Sequence, residues 1–164
     1  MLGHRKRADA GANEMKWAIL VAGALFSLYH LNAAYDHFSE RGTRTAAREV
    51  MAGYRADGDA TRAMIAAAVP RCTWGASHDR VHPALRDFVV GVTLDGIAAG
   101  ARGMDADASA IAEERTVALV RAMAPLDDAA LAAIGRDSDA MERRADESMR
   151  CTFKTVAAAL RRRA

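Results

Sequence analysis

The residues best suited to chemistry lie in one short segment, RCTWGASHDRVH, at positions 71–82. It contains Cys72, His78 and His82, and a thiolate with two imidazoles is a common set of zinc ligands. Two histidines four residues apart share a face only in a helix, and the proline at position 83 disfavours a helix that reaches His82. The sequence therefore predicts no metal centre and no cofactor here. It favours a loop, held by a disulfide, whose histidines are solvated or cap the next helix.

Other combinations of reactive residues are weaker. Ser77, His78 and Asp79 are the residue types of a hydrolytic triad, but adjacent residues cannot converge as members of a triad do. Asp95 follows Phe88 by seven residues on a mostly apolar helix, and exposure at its polar edge is favoured over burial. The sequence also lacks phosphate-binding, haem-attachment and metalloprotease motifs. We therefore expect a non-catalytic protein.

The two cysteines, Cys72 and Cys151, are an even pair that follows a long apolar run. In an exported protein such a pair predicts a disulfide, and the alternative is two buried thiols. We expect the bridge to fix the loop at 71–82 and its Trp74 against the last helix. Trp74, His78 and His82 are then the residues of that loop most available to a ligand or partner.

An apolar stretch at positions 16–38 contains an unbroken apolar run from Trp17 to Phe26. The run continues through Ser27, Leu28 and Tyr29, so that it is long for the core of a signal peptide and shorter than an ideal membrane span. No polar face interrupts it, whereas a helix on the surface of a soluble protein shows one. We predict a membrane-anchor helix. Its lipid-facing residues are Trp17, Ile19, Leu20, Val21, Leu25, Phe26 and Leu28.

The charges beside this stretch predict its orientation. Three basic residues lie in a tail at positions 1–15, and Lys16 directly precedes the apolar run. Asp36 and Glu40 follow the run. Because basic residues stay on the cytoplasmic side, we expect a cytoplasmic N-terminus and an extracytoplasmic, periplasmic domain at 39–164. Two alternatives stay open. The stretch could be a cleaved signal that leads to secretion, or a buried or partner-binding helix of a soluble protein.

The composition of the domain predicts an all-α fold. Alanine, the best helix former, accounts for 39 of the 164 residues, and no stretch alternates as a strand would. We expect an extracytoplasmic bundle of five or six helices, with helices ending at Pro70, Pro125 and Gly135. The clearest apolar stripe marks the last helix. It consists of Met141, Ala145, Met149, Phe153, Val156 and Leu160.

The charge of the domain excludes one class of partner. From Asp36 onward there are 19 basic and 19 acidic residues, so the net surplus of +2 lies within residues 1–16. A neutral domain is a poor candidate for binding nucleic acid.

We expect membrane lipid and another envelope protein as partners. The leading function is an interaction module: an assembly subunit, an accessory factor or an inhibitor. The alternatives are a bundle that binds a small ligand or metal through the 71–82 loop, and an enzyme of unrecognised type that uses Asp95, His78 and His82.

Overall fold

The structure is an all-helical domain, as the composition predicted. It is a computed structural model that describes residues 41–103 and 108–163, and these residues contain no strand. The helices are α1 (Arg41–Ala56), α2 (Gly58–Trp74), α3 (Pro83–Ala101), α4 (Ala108–Met123), α5 (Asp128–Arg143) and α6 (Ala145–Arg161). A 3₁₀ helix (Gly75–Arg80) joins α2 to α3. The six helices agree with the predicted number.

The predicted tail at 1–15 and the predicted anchor at 16–38 lie outside the described residues. Across 41–103 and 108–163, no helix is both long enough and apolar enough to cross a bilayer. The longest of these helices, α3, has 19 residues and carries the G-x-x-x-G spacing of Gly96 and Gly100. A Cβ at Gly100 would lie 3.1 Å from Cε of Met51 in α1. Gly100 therefore serves the close packing of helices within the domain, as expected for this spacing in a protein core.

The centre of the domain is formed by α1, α2 and α6. The stripe that the sequence predicted for the last helix is buried from Met141 to Val156, and Leu160 at its end is half-buried. At the end of α1, a Cβ on Gly53 would lie 2.7 Å from Leu160, so α1 and α6 approach closely. On the other side of the core, α3 packs against α1, α2 and α4. Burial of these apolar side chains is the main source of stability.

The C-terminal ends of three helices lie together. Arg55 in the last turn of α1 donates from Nη1 to the carbonyl oxygen of Ala101, the last residue of α3, at 3.0 Å. The contact between Gly53 and Leu160 brings the end of α6 to the same place. Only Asp57 separates α1 from α2, and its side chain accepts from the amide of Ala60 at 3.0 Å, which caps α2.

The prediction that a helix ends at Pro70 is wrong, because α2 continues to Trp74. Proline removes one backbone hydrogen bond and usually breaks a helix. Here the next turn is held by tertiary packing, since Cys72, Thr73 and Trp74 are all buried. The Thr73 hydroxyl also donates to the carbonyl of Val69 at 2.8 Å and lies 2.8 Å from Ser148 Oγ in α6.

The prediction that a helix ends at Gly135 is also wrong. Helix α5 runs through Gly135, and a single buried stripe continues across it. That stripe consists of Leu131, Ile134, Ser138 and Met141, all buried. The break falls instead at Arg144, whose backbone leaves the helical region with φ −116° and ψ 12°. Met141 therefore belongs to α5, and α6 begins at Ala145.

Candidate functional site

The segment at 71–82 is mainly helical, so the prediction of a loop there is wrong. Residues 71–74 form the last turn of α2, and the 3₁₀ helix follows directly. Gly75, with φ +59°, makes the change of direction, and its amide donates to the carbonyl of Arg71. This positive φ strains other residues, so glycine suits the position. The segment is consequently a helical corner of the core.

The predicted disulfide is present in the structure. Cys72 is bonded to Cys151, with their Cα atoms 5.6 Å apart and the two residues 79 positions apart in sequence. Cys151 lies on α6 beside the buried stripe, as its spacing from Phe153 predicted. Because Cys72 lies in α2, the bridge joins two helices and does not pin a loop. The hydroxyl of Thr155 lies 3.9 Å from each sulfur.

Trp74 is a core residue. Only 6% of its surface is exposed, and its Nε1 donates to the backbone carbonyl of Asp137 at 3.1 Å. The indole thus attaches the corner to α5, whereas we expected its contact with the last helix. Partial burial also raises the pKa of the Asp137 carboxyl group, although the neighbouring Arg136 opposes this shift. Buried in this way, Trp74 is not presented to a partner.

The two histidines of the segment make separate local contacts. Nδ1 of His78 lies 2.9 Å from the carbonyl oxygen of Gly75, and its Nε2 lies 3.2 Å from Asp79. His82 accepts from the amide of Ala84 at 3.2 Å and caps α3, one of the roles expected for it. Among the described residues, no group of three or more possible ligands is placed to hold a metal ion. The histidines therefore stabilise the corner and the start of α3.

Asp95 forms an ion pair with Arg115 of α4, with 2.8 Å between Oδ2 and Nε. The carboxylate side chain is 29% exposed and the guanidinium side chain 39% exposed. The hydrogen bond that Arg115 donates to Asp95 raises the pKa of Arg115. The guanidinium also rests on Gly91 of α3, since a Cβ there would lie 2.8 Å from its Nη1. Gly91 thus provides the space in which the pair forms.

This arrangement predicts a coupled effect of substitution. Alanine at a helical glycine gains about 0.5–1 kcal/mol, but at Gly91 it would displace Arg115 from Asp95. We expect Gly91→Ala to be about 0.5–1 kcal/mol more favourable in an Arg115→Ala background than with Arg115 present. Urea unfolding of the four proteins in the cycle measures this difference.

Gly135→Ala is the matched control, because no atom lies within 4 Å of its Cβ position, so its effect should be equal in both backgrounds. Equal effects of Gly91→Ala in the two backgrounds would show that the guanidinium does not need this space.

A second candidate site is the arginine face, which we define as Arg44, Arg48 and Arg55 on α1 together with Arg161, Arg162 and Arg163 at the end of α6. All six side chains are exposed. Ala52, a small exposed residue, lies on α1 between Arg48 and Arg55. The only acidic residue in α1 is Glu49, which is partly buried and bonded to Arg161. The face is therefore a basic surface, although Arg55 is also bonded to the Ala101 carbonyl.

This face is not evident from the total charge of the domain. Residues 41–56 and 161–163 contain seven arginines and one glutamate, a net charge of +6. Residues 36–40 and 57–160 contain 12 basic and 18 acidic residues, a net charge of −6. The neutral total thus hides a strong separation. Arginines four residues apart at 44 and 48 were the signal available in the sequence.

Comparisons with protein-family models, with curated proteins and with solved structures gave no match to this chain. Functional inference therefore depends on the residues and geometry described above.

Proposed function

We propose that this protein is a non-catalytic, membrane-anchored envelope protein whose helical domain lies outside the cytoplasm and acts as an interaction module. The observation that carries this proposal is the disulfide between Cys72 and Cys151. Disulfides form and persist in oxidising compartments and are rare in the cytosol. The apolar stretch at 16–38 then supplies the means of export and of anchoring.

The disulfide is more informative than the charges beside the apolar stretch. Four basic residues precede the stretch or begin it, and Arg41, Arg44 and Arg48 follow it within a short distance. A difference of four basic residues against three gives little preference for either orientation under the positive-inside rule. An oxidised cysteine pair in the following domain favours the periplasmic side independently of that count.

The role of an interaction module is supported by how the exposed surface is built. The residues first considered for chemistry are used within the domain: Trp74 is buried, His82 caps a helix and Asp95 is bonded to Arg115. The side chains of the arginine face, in contrast, are exposed to solvent, although Arg55 and Arg161 also bond within the domain. Arginine is a residue that proteins use for recognition, because its planar group binds carboxylates and phosphates with two hydrogen bonds.

Reporter fusions test the proposed topology. An export-dependent reporter fused after Ala164 should be active, and a reporter that works only in the cytoplasm should be silent there. The matched control is the same pair of reporters fused within the N-terminal tail, where the two results should be reversed. Activity of the cytoplasmic reporter at the C-terminus would overturn both the topology and the compartment inferred from the disulfide.

Two further measurements separate the alternatives. Retention of the protein in alkali-washed membranes, together with N-terminal sequencing that finds residues before Ala33, establishes an uncleaved anchor. Release of the washed protein, with a new N-terminus after the apolar run, would instead establish a secreted form.

Cross-linking in intact cells, followed by mass spectrometry, identifies the envelope partner that an interaction module requires.

A further inference from the structure

We propose that α4 is a self-association surface, at which two copies of this chain pack their α4 helices side by side in opposite directions. The surface, which we call the α4 seam, consists of Glu114, Val117, Ala118 and Arg121, all exposed. Its occupant is a second copy of this chain. The inference names one partner for the proposed interaction module and rests on that part of the proposed function.

Helix α4 leaves one long side open. It packs on α3 and makes no comparable contact with another of the described helices. Leu119 and Met123 are its buried residues, and Val117 points away from them because two residues along a helix correspond to about 200° of rotation. Val117 is 43% exposed and is the one large apolar residue that is exposed among the side chains that the structure describes. With Ala118 beside it, the centre of the open side is apolar.

Two opposite charges flank this apolar centre. Glu114 and Arg121 are seven residues apart, close to two full turns, so they lie on the same side of α4 and roughly 10.5 Å apart along its axis. Within the part of the chain that the structure describes, neither of them forms an ion pair. Arg115, the neighbour of Glu114 in sequence, is bonded to Asp95 instead. Both ends of the seam can therefore accept a charged partner.

A second copy in the antiparallel direction matches both charges at once. A twofold axis between positions 117 and 118 places Glu114 of each copy level with Arg121 of the other, with the apolar centre between the two ion pairs. Such an interface uses the same surface patch on both copies. A parallel pair would instead bring like charges together, which is unfavourable. The charge pattern therefore selects the antiparallel arrangement, and the small side chain of Ala118 permits a close approach of the two helices.

The outer surface of α5 lacks this pattern. Its exposed residues include Asp128, Arg136, Asp139 and Glu142, with no large apolar side chain among its exposed positions. A charged surface of this kind is suited to solvent. An apolar centre with a polar rim, as in the α4 seam, is the usual composition of a protein interface.

The size of the seam indicates a weak association. One helix from each copy buries less area than a stable interface of standard size, so we expect a dissociation constant in the micromolar range. The proposed anchor would confine the copies to one membrane, and confinement raises the effective concentration of the two surfaces. The dimer would consequently form where the anchored protein is concentrated.

Sedimentation equilibrium of the full-length protein in density-matched detergent micelles tests this inference. The concentration is raised to about 1 mM, the order of effective concentration that tethering provides. The variants are Glu114→Arg, Arg121→Glu and the double variant that carries both changes. Arg136→Glu and Glu142→Arg are the matched controls, because they reverse exposed charges on α5. Circular dichroism verifies that every variant is folded.

We expect a monomer–dimer equilibrium for the wild-type protein and for both controls. Glu114→Arg or Arg121→Glu alone should raise the dissociation constant about tenfold or more, because each makes both symmetry-related ion pairs repulsive. The double variant should restore the wild-type value, since it exchanges the two charges. An equal mixture of the two single variants should form a heterodimer, because each then presents the charge that the other needs.

Three results would overturn the inference. A wild-type protein that stays monomeric at the highest concentration has no self-association surface. Association that the single variants leave unchanged arises from another part of the chain. A double variant that stays monomeric removes the antiparallel pairing. If a photo-cross-linker placed at Val117 then links to residues 16–38 of the same chain, that apolar stretch covers the seam instead.

The outcome is distinguishable from failure of the proposed function. The reporter fusions test the compartment and the anchor, and the charge variants of α4 do not affect them. A monomeric protein with its C-terminus outside the cytoplasm removes only the α4 seam. A C-terminus in the cytoplasm removes the proposed topology and leaves a charge-dependent dimer standing.

Discussion

Removal of the disulfide by Cys72→Ser with Cys151→Ser should lower the free energy of unfolding by about 4 kcal/mol. The bridge closes a long loop, because the two cysteines are 79 positions apart in sequence, and a cross-link of that span strongly restricts the unfolded chain. Urea unfolding of the oxidised protein and of the double variant measures the difference. The oxidised state of the wild-type protein is verified by mass analysis without reductant. Two free thiols in the native protein would rule out the bridge.

The same pair of proteins shows which part of the fold depends on the bridge. Pro70 leaves α2 one backbone hydrogen bond short just before its last turn, so this turn depends on its tertiary contacts. We expect hydrogen exchange in residues 71–80 to increase more than exchange in α3 when the bridge is removed. Wild-type protein treated with reductant is the matched control and should behave as the serine variant does. Unchanged exchange in 71–80 would mean that the packing of Trp74 alone orders this corner.

Trp74→Ala should destabilise the domain by about 3–5 kcal/mol, the range for removing a large aromatic side chain from a core. The indole is almost fully buried, and it donates the hydrogen bond that attaches the corner to α5 at Asp137. We therefore expect faster exchange in α5 as well as a lower free energy of unfolding. Both quantities are measured by the methods used for the disulfide.

Two control substitutions separate the contributions of Trp74. Trp74→Phe keeps most of the apolar surface and removes the hydrogen bond to Asp137, which should cost about 0.5–1.5 kcal/mol for the lost hydrogen bond. Arg71→Ala changes an exposed residue of the same turn and should stay within about 0.5 kcal/mol of wild type. A loss for Trp74→Ala as small as that for Arg71→Ala would contradict the assignment of Trp74 to the core.

The sequence predicted the features that local chemistry determines. Pro83 begins α3, His82 caps it and the positive φ of Gly103 follows its end, because each of these residues has a strong conformational preference. The pairing of Cys72 with Cys151 was also predictable, since the sequence contains only these two cysteines. The all-α class followed from the high content of alanine and the lack of strand patterns.

The sequence did not predict the features that tertiary packing determines. Burial of the turn after Pro70 overrides the tendency of proline to end a helix, and the apolar stripe of α5 overrides the glycine at 135. The break at Arg144 has no glycine or proline to mark it. The arginine face needed the pairing of α1 with the end of α6, which joins residues 112 positions apart, as Glu49 and Arg161 show.

The position of the disulfide also determines how the domain would respond to mechanical force. Suppose that the membrane pulls on α1 while a partner holds α6 near its C-terminal end. The bridge at Cys72 would transmit tension directly to Cys151, so the helices α3, α4 and α5 between them would carry no load. Only residues 41–71 and the chain beyond Cys151 could unravel, and the first of these stretches would extend by at most about 110 Å. The oxidised domain would therefore act as a tether of limited reach, in which residues 72–151 stay outside the line of force.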